Sequence, residues 1–166
     1  MASPAPQGGK SVTLTLTSPA FAPGKPIPAR YSCEGLDLSP PLRWSQPPSG
    51  TRSLVLICED PDAPTGTWVH WVLFNLSPSL RELPEGVPPL KVVLEKARQG
   101  KNDFGRLGYG GPCPPPGKPH RYFFRLYALD TQIQLPPGTE KPELLRAMED
   151  HILAEGELMG IYQRKR

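Results

Sequence analysis

The chain contains no run of about 18 apolar residues, so no segment is expected to cross a bilayer as a helix. Residues 1–9 are rich in Ala, Pro, Gly and Ser and lack the basic stretch followed by an apolar core that marks a secretory signal. Cysteine is scarce. Cys33, Cys58 and Cys113 form neither a CxxC motif nor a zinc knuckle; they read as reduced thiols in a cytoplasmic protein, with a Cys33–Cys113 pair left open. A G-x-S-x-G nucleophile elbow is missing, which argues against a serine hydrolase. Charge of one sign is missing too: 19 Lys and Arg face 16 Asp and Glu, for a net charge of +3. The densest basic groups, Lys91, Lys96, Arg98 and Lys101 and then Arg164, Lys165 and Arg166, are not interleaved with aromatics, so nucleic acid is not an expected partner.

What the chain has in excess is backbone of fixed or special conformation. Its 24 prolines and 16 glycines in 166 residues stop just short of the roughly 25–30% at which an aperiodic chain reads as low-complexity. With 37% hydrophobic and 21% charged residues, however, the composition is that of a folded domain. We expect a flexible tail at residues 1–9 and a single domain over 10–166.

The prolines fall between apolar runs, where a missing N–H does no harm to a hydrogen-bond ladder. Residues 11–17 alternate, with Val12, Leu14 and Leu16 on one face, and residues 29–33 and 42–45 are short strand candidates. Residues 52–58 hold Leu54, Val55, Leu56 and Ile57 in a row and read as a central strand covered on both faces. Residues 68–75 and 120–129 are the longest aromatic and β-branched runs and read as central strands too. One helix is predicted at about 140–155. Thr139 would cap it, Pro142 sits in its first turn, Leu144, Leu145, Met148, Ile152 and Leu153 recur at helical spacing, and Gly156 would end it. Residues 158–163 would return as a last strand. His151 reads as a partly exposed imidazole favoured by the helix dipole rather than as a ligand. The expected fold class is mainly β, mostly antiparallel.

Two apparent motifs are set aside. Residues 111–118 suggest a phosphate-binding loop, but five residues separate the glycines, four of them proline, and Pro119 stands where Ser or Thr must bind magnesium. Asn75-Leu76-Ser77 fits a glycosylation sequon at a strand end and is incidental.

The polar residues inside the most apolar runs carry more. Alternation places Trp68, His70, Val72 and Phe74 on one face, and His120, Tyr122, Phe124 and Leu126 on another. Asp60 and Asp62 straddle Pro61 directly after a central strand. Polar groups in such positions need partners, and a carboxylate beside an imidazole favours the form with two donor nitrogens. Either these residues form a satisfied structural network, or Asp60, Asp62, His70, His120 and Tyr122 converge on a pocket that receives an anion, helped by backbone N–H groups of residues 108–111.

Asp-Pro-Asp-Ala-Pro at residues 60–64, His70-Trp71-Val72, Gly-Tyr-Gly-Gly-Pro-Cys-Pro-Pro at 108–115 and His-Arg-Tyr-Phe-Phe at 120–124 resemble the phosphatidylethanolamine-binding protein family, also called Raf kinase inhibitor protein-like. Ser-Pro-Pro-Leu-Arg-Trp at 39–44, Asn-Asp-Phe-Gly at 102–105 and Gly160-Ile161-Tyr162 resemble its bacterial and archaeal branch. The resemblance implies a large antiparallel sheet packed against a smaller one, with few helices and a small anion pocket. It further implies Asp60, Asp62, His70, His120 and Tyr122 as pocket residues, Pro64 and Trp68 as its wall, and Gly111 with Pro112 as a turn offering a backbone donor. A cis proline is expected at or near Pro64. The implied activity is non-enzymatic binding of phosphate, phosphorylethanolamine or a carboxylate, without cofactor, in a protein that could inhibit a kinase or protease and could form a homodimer. No counterpart of the eukaryotic members' C-terminal helix follows Tyr162. Two other readings compete: a hydrolase with an Asp/His acid–base pair or a two-His, one-carboxylate metal site, and an interaction scaffold with a vestigial pocket.

Overall fold

The computed structural model describes residues 12–165, and the expected tail at 1–9 lies outside them. The strands are β1 (Val12–Thr13), β2 (Leu16–Thr17), β3 (Leu42–Trp44), β4 (Ser53–Asp60), β5 (Trp68–Leu76), β6 (Glu82–Leu83), β7 (Val92–Val93), β8 (Ala97–Gln99), β9 (His120–Leu129) and β10 (Ile152–Tyr162). A 3-10 turn at Ala29–Tyr31 and helix α1 (Lys141–Met148) complete the regular structure of the described residues. A seven-stranded sheet runs β1-β10-β9-β4-β5-β8-β7, and a three-stranded sheet runs β2-β3-β6. Every pairing is antiparallel except that of β1 with β10, so the large sheet is mixed.

The apolar run of β4 is buried along its whole length because the sheet is covered on both sides. Leu54, Leu56 and Cys58 join Tyr122, Phe124 and Leu126 of β9 and Leu16, Leu42, Trp44 and Leu83 of the small sheet in the main core. Val55 and Ile57 point the other way, to Val72, Phe74 and the α1 residues Leu144 and Met148. Burial of such side chains is worth about 1.5–3 kcal/mol each, so the two faces of β4 alone carry much of the hydrophobic stabilisation.

Several expectations need correction. Residues 11–17 are not one strand: β1 and β2 belong to different sheets, and Val12 is 52% exposed while Leu14 and Leu16 are buried. Residues 29–33 are not a strand: Ala29–Tyr31 form the 3-10 turn, following the fixed φ of Pro28, and Ser32 ends it. The helix stops at Met148, because Glu149 turns extended and Asp150 takes a left-handed φ of 67°. Ile152 and Leu153 therefore belong to β10, whose inward positions Ala154, Gly156, Leu158, Gly160 and Tyr162 are buried at every second residue. Gly156 is no helix end; a Cβ there would sit 2.5 Å from the Leu14 carbonyl oxygen. The helix cap is Glu140, without a side-chain cap bond, while the Thr139 hydroxyl donates to the Pro136 carbonyl. His151 sits beyond the helix, its Nδ1 2.7 Å from Asp130 Oδ1. The Asn75 side chain is buried and bonded to both polar backbone atoms of Ile133, leaving no accessible sequon amide.

Cys33 and Cys113 are joined in a disulfide, against the expectation of reduced thiols; Cys58 is free and buried. The turn at 29–33 brings Cys33 under the 112–116 segment, where the Cys33 N–H also donates to the Pro112 carbonyl. All peptide bonds of the described residues are trans, so the expected cis proline is not found. The loop after β4 is closed instead by the Asp62 N–H donating to Asp60 Oδ1 and the Gly66 N–H donating to the Ala63 carbonyl. No helix of the described residues is long and apolar enough to cross a membrane.

Candidate functional site

The end of β4, the start of β5 and the start of β9 lie side by side because the three strands are antiparallel neighbours. A cavity of about 270 Å³ opens there. Of the residues singled out from the sequence, Asp60, Pro64, Trp68, His70, His120 and Tyr122 line it. Asp62, Gly111 and Pro112 are not among its lining residues. Phe104, Cys113, Pro114 and Pro115 complete most of the wall.

His70 reaches this cavity through a β-bulge. Cys58 pairs with Trp71 and Glu59 with Val69, which leaves His70 as the extra residue of β5. The bulge breaks the alternation expected of the strand. Val72 and Phe74 face the helix side, whereas the His70 ring turns to Tyr122 and Phe104, with ring centroids 5.2 and 5.3 Å away. Its Nδ1 donates to the Gly110 carbonyl at 2.6 Å, and the Gly110 N–H returns a bond to the His70 carbonyl at 2.9 Å. Burial lowers the His70 pKa, outweighing the Gly110 bond and the Asp60 and Asp37 charges. The neutral ring therefore replaces the imidazolium expected from a neighbouring carboxylate.

At the first residue of β9, His120 Nδ1 donates to Asp60 Oδ2 at 2.7 Å. The other Asp60 oxygen accepts the Asp62 N–H, so both carboxylate oxygens are occupied in an Asx turn. Two residues along β9, the Tyr122 hydroxyl is buried and has no hydrogen-bond partner among the described residues. Burial, the Asp60 charge and the approach of the Asp60 carboxylate, near but outside hydrogen-bond geometry, push its pKa far above the ordinary phenol value, so it is a neutral donor. An orphaned buried hydroxyl costs about 1–3 kcal/mol, and the neighbouring Asp60 carboxylate is already occupied by His120 and Asp62.

The remaining predicted residues act behind this wall. Asp62 accepts two bonds from the Arg121 guanidinium and one from the Arg121 backbone N–H, and these hold its pKa down at about 2. The Gly111 N–H, expected as a ligand donor, donates to Asp37 Oδ1 at 2.8 Å. Only glycine fits there, because a Cβ would lie 2.2 Å from the Tyr31 carbonyl oxygen. Phe104, which the sequence pattern does not mark as a cavity residue, belongs to the Asn-Asp-Phe-Gly motif. Asn102 Oδ1 accepts the N–H groups of Phe104 and Arg106, and Asp103 accepts the Val69 N–H, so the motif clamps the ring against His70. Cys113 was not foreseen because it enters through its disulfide. Its segment is also held by the C-terminus, where Gln163 Nε2 donates to the Gly117 carbonyl and the Gly117 N–H to that of Arg164.

Among the described residues no group of three or more His, Cys, Asp or Glu is placed to hold a metal. The Nδ1 atoms of both cavity histidines and both Asp60 oxygens are already spent within the protein. Among the described residues the cavity offers a ligand the Tyr122 O–H, the two Nε2 atoms, the Thr65 side chain and apolar surface of Trp68, Phe104 and prolines.

A family model described as phosphatidylethanolamine-binding protein matches residues 17–163. A UPF0098 protein of Methanothermobacter thermautotrophicus is 51% identical over 151 residues, covering 91% of this chain and 99% of that protein. The crystal structure of a Chlamydia trachomatis homologue of phosphatidylethanolamine-binding protein superposes with a TM-score of 0.85 at 46% identity, over 93% of this chain and all of the other. That of Escherichia coli YbcL, described as a new member of the mammalian family, gives 0.86 at 33% identity over the same shares. With a family model that includes every residue lining the cavity, this chain belongs to the phosphatidylethanolamine-binding protein family.

Proposed function

We propose that the protein is a non-enzymatic binding module whose cavity receives a small anion with a phosphate or carboxylate head, such as phosphate, phosphorylethanolamine or acetate. The observation that carries this reading is the Tyr122 hydroxyl, buried, neutral and without a partner, in the wall of the cavity between the rings of His70 and His120. It would donate to a ligand oxygen. His120 would add its Nε2–H when the ring is charged, with Asp60 holding the ring and supplying the counter-charge. A volume of about 270 Å³ is slightly below the range of sites for drug-sized ligands and suits a single head group. Trp68 and Phe104 at the rim give an ammonium such as that of ethanolamine a π surface. The same cavity could take a phosphorylated or acidic side chain of a protein partner, which is how a kinase or protease would be modulated.

The test is calorimetric titration with phosphorylethanolamine, inorganic phosphate and acetate. One saturable site per chain that weakens in Tyr122→Phe and His120→Ala supports the reading. Binding by none of the three, with partner capture undiminished in both variants, would favour the scaffold with a vestigial pocket.

A further inference from the structure

The hydrogen on His70 is placed by geometry. A carbonyl oxygen only accepts, so the 2.6 Å contact with Gly110 fixes the hydrogen on Nδ1. Gly110 cannot yield: its N–H is returned to the His70 carbonyl, its Cα packs against the Phe104 ring, and Gly111 is tied to Asp37. In the neutral ring, Nε2 is then a bare lone pair with no protein partner among the described residues, in a side chain that lines the cavity. The cavity therefore presents an acceptor beside the Tyr122 donor.

Among the described residues no Lys or Arg lines the cavity to counterbalance a dianion. Arg121 is committed to Asp62, Arg106 lies over the Phe104 ring, and Arg164, outside the cavity lining, contacts Cys113 Sγ through Nη1 while its buried Nε has no partner among the described residues. A ligand oxygen meeting Nε2 must either bring a hydrogen or force one onto a buried ring. Resting on the anion-site reading above, we propose that the cavity selects anions that carry their own proton, hydrogen phosphate and phosphomonoesters, over phosphodiesters and sulfate. The ligand P–O–H donates to His70 Nε2 while its unprotonated oxygens accept from Tyr122 and His120. Should the proton pass to Nε2, an imidazolium faces a phosphate oxygen and the total charge is unchanged.

The groups facing His70 are Asp60 on β4, His120 and Tyr122 on β9, Asp37 through Gly111, and Asp103 and Arg106 in the 102–111 loop. The Asp60 and Asp37 carboxylates favour a proton on the ring and burial opposes it, with burial the larger effect. A diester or sulfate must overcome that opposition, whereas a monoester, with a second pKa of about 6, delivers the proton itself.

The test is calorimetric titration of the intact protein with phosphorylethanolamine, glycerophosphorylethanolamine and sulfate from pH 5 to 8, in pairs of buffers of different ionisation enthalpy. The first probe is the free monoester and the second the diester head group of a phospholipid. At pH 7 the monoester is expected to bind more tightly than either other anion, because protonating it costs less than protonating the buried ring. The part of its pH dependence that comes from the ligand proton ends below about pH 6, where the monoester is already protonated. Below that pH sulfate and diester still take up about one proton per site more than the monoester until His70 is charged, since any proton gained by His120 is common to all three. The ring ¹⁵N resonances of His70 are expected to show the hydrogen on Nδ1 in the free protein. Equal binding of monoester and diester with superimposable pH profiles, or a free ring protonated on Nε2, overturns the proposal while leaving the anion site standing. Absence of binding by all three anions overturns the anion site and the proposal together.

Discussion

Asp60 at the end of β4 and His120 at the start of β9 are joined by a 2.7 Å hydrogen bond from Nδ1 to Oδ2, both side chains almost wholly buried. The pair locks two neighbouring strands at the floor of the cavity. The second Asp60 oxygen, bonded to the Asp62 N–H, turns the following loop so that Asp62 meets Arg121. One carboxylate thus sets both the orientation of an imidazole and the course of the cavity wall.

Replacing Asp60 by Asn leaves one acceptor where two donors point and sets an NH₂ against an N–H. The expected cost is about 1–3 kcal/mol of stability, read from the urea midpoint at constant m-value, together with weaker phosphate binding. A variant as stable as the parent would show that the pair does not hold the two strands.

The disulfide joins residues 80 positions apart and fixes the 112–116 segment that forms part of the cavity wall. Closing so long a loop restricts the unfolded chain, so Cys33→Ser with Cys113→Ser should lose about 2–4 kcal/mol. Reduction of the parent with dithiothreitol should reproduce that loss and speed proteolysis within residues 112–117. An unchanged midpoint after verified reduction would contradict this.

His70 makes folding pH-dependent in a defined direction. Its folded pKa lies below the value of about 6.5 expected of the unfolded chain. Between the two values the unfolded state holds more protons, so the stabilisation is complete above about pH 6.5 and declines as pH falls through the folded pKa. The difference in stability between parent and His70→Gln should therefore shrink from pH 7.5 to pH 5. A difference independent of pH would mean that the ring is not buried in its neutral form.

The long apolar runs made β4, β5 and β9 legible in the sequence, and the burial of β4 on both faces followed from its unbroken Leu-Val-Leu-Ile. Six of the nine residues singled out line one cavity because they stand where these three strands end together. The rest depended on backbone detail that periodicity does not carry. The His70 bulge shifts the face of a side chain without changing the composition around it. The inward face of β10 is built partly of Ala154, Gly156 and Gly160, small because Leu14, Ile27 and Phe21 pack directly on it, so its two-residue period is faint while a helical one persists through Leu153. Gly111 looked like a donor to a ligand because its partner, Asp37, is 74 residues away in sequence.

The central claim is that the buried Tyr122 hydroxyl waits for a ligand, and Tyr122→Phe tests it in one paired measurement of urea stability and phosphorylethanolamine affinity. Removing an orphaned hydroxyl from a ligand-free cavity should leave stability unchanged or raise it by about 1 kcal/mol, while affinity falls about tenfold, the worth of one hydrogen bond to a charged group. A variant that is destabilised yet binds as the parent does would contradict the account, placing the hydroxyl in the structure rather than in the site.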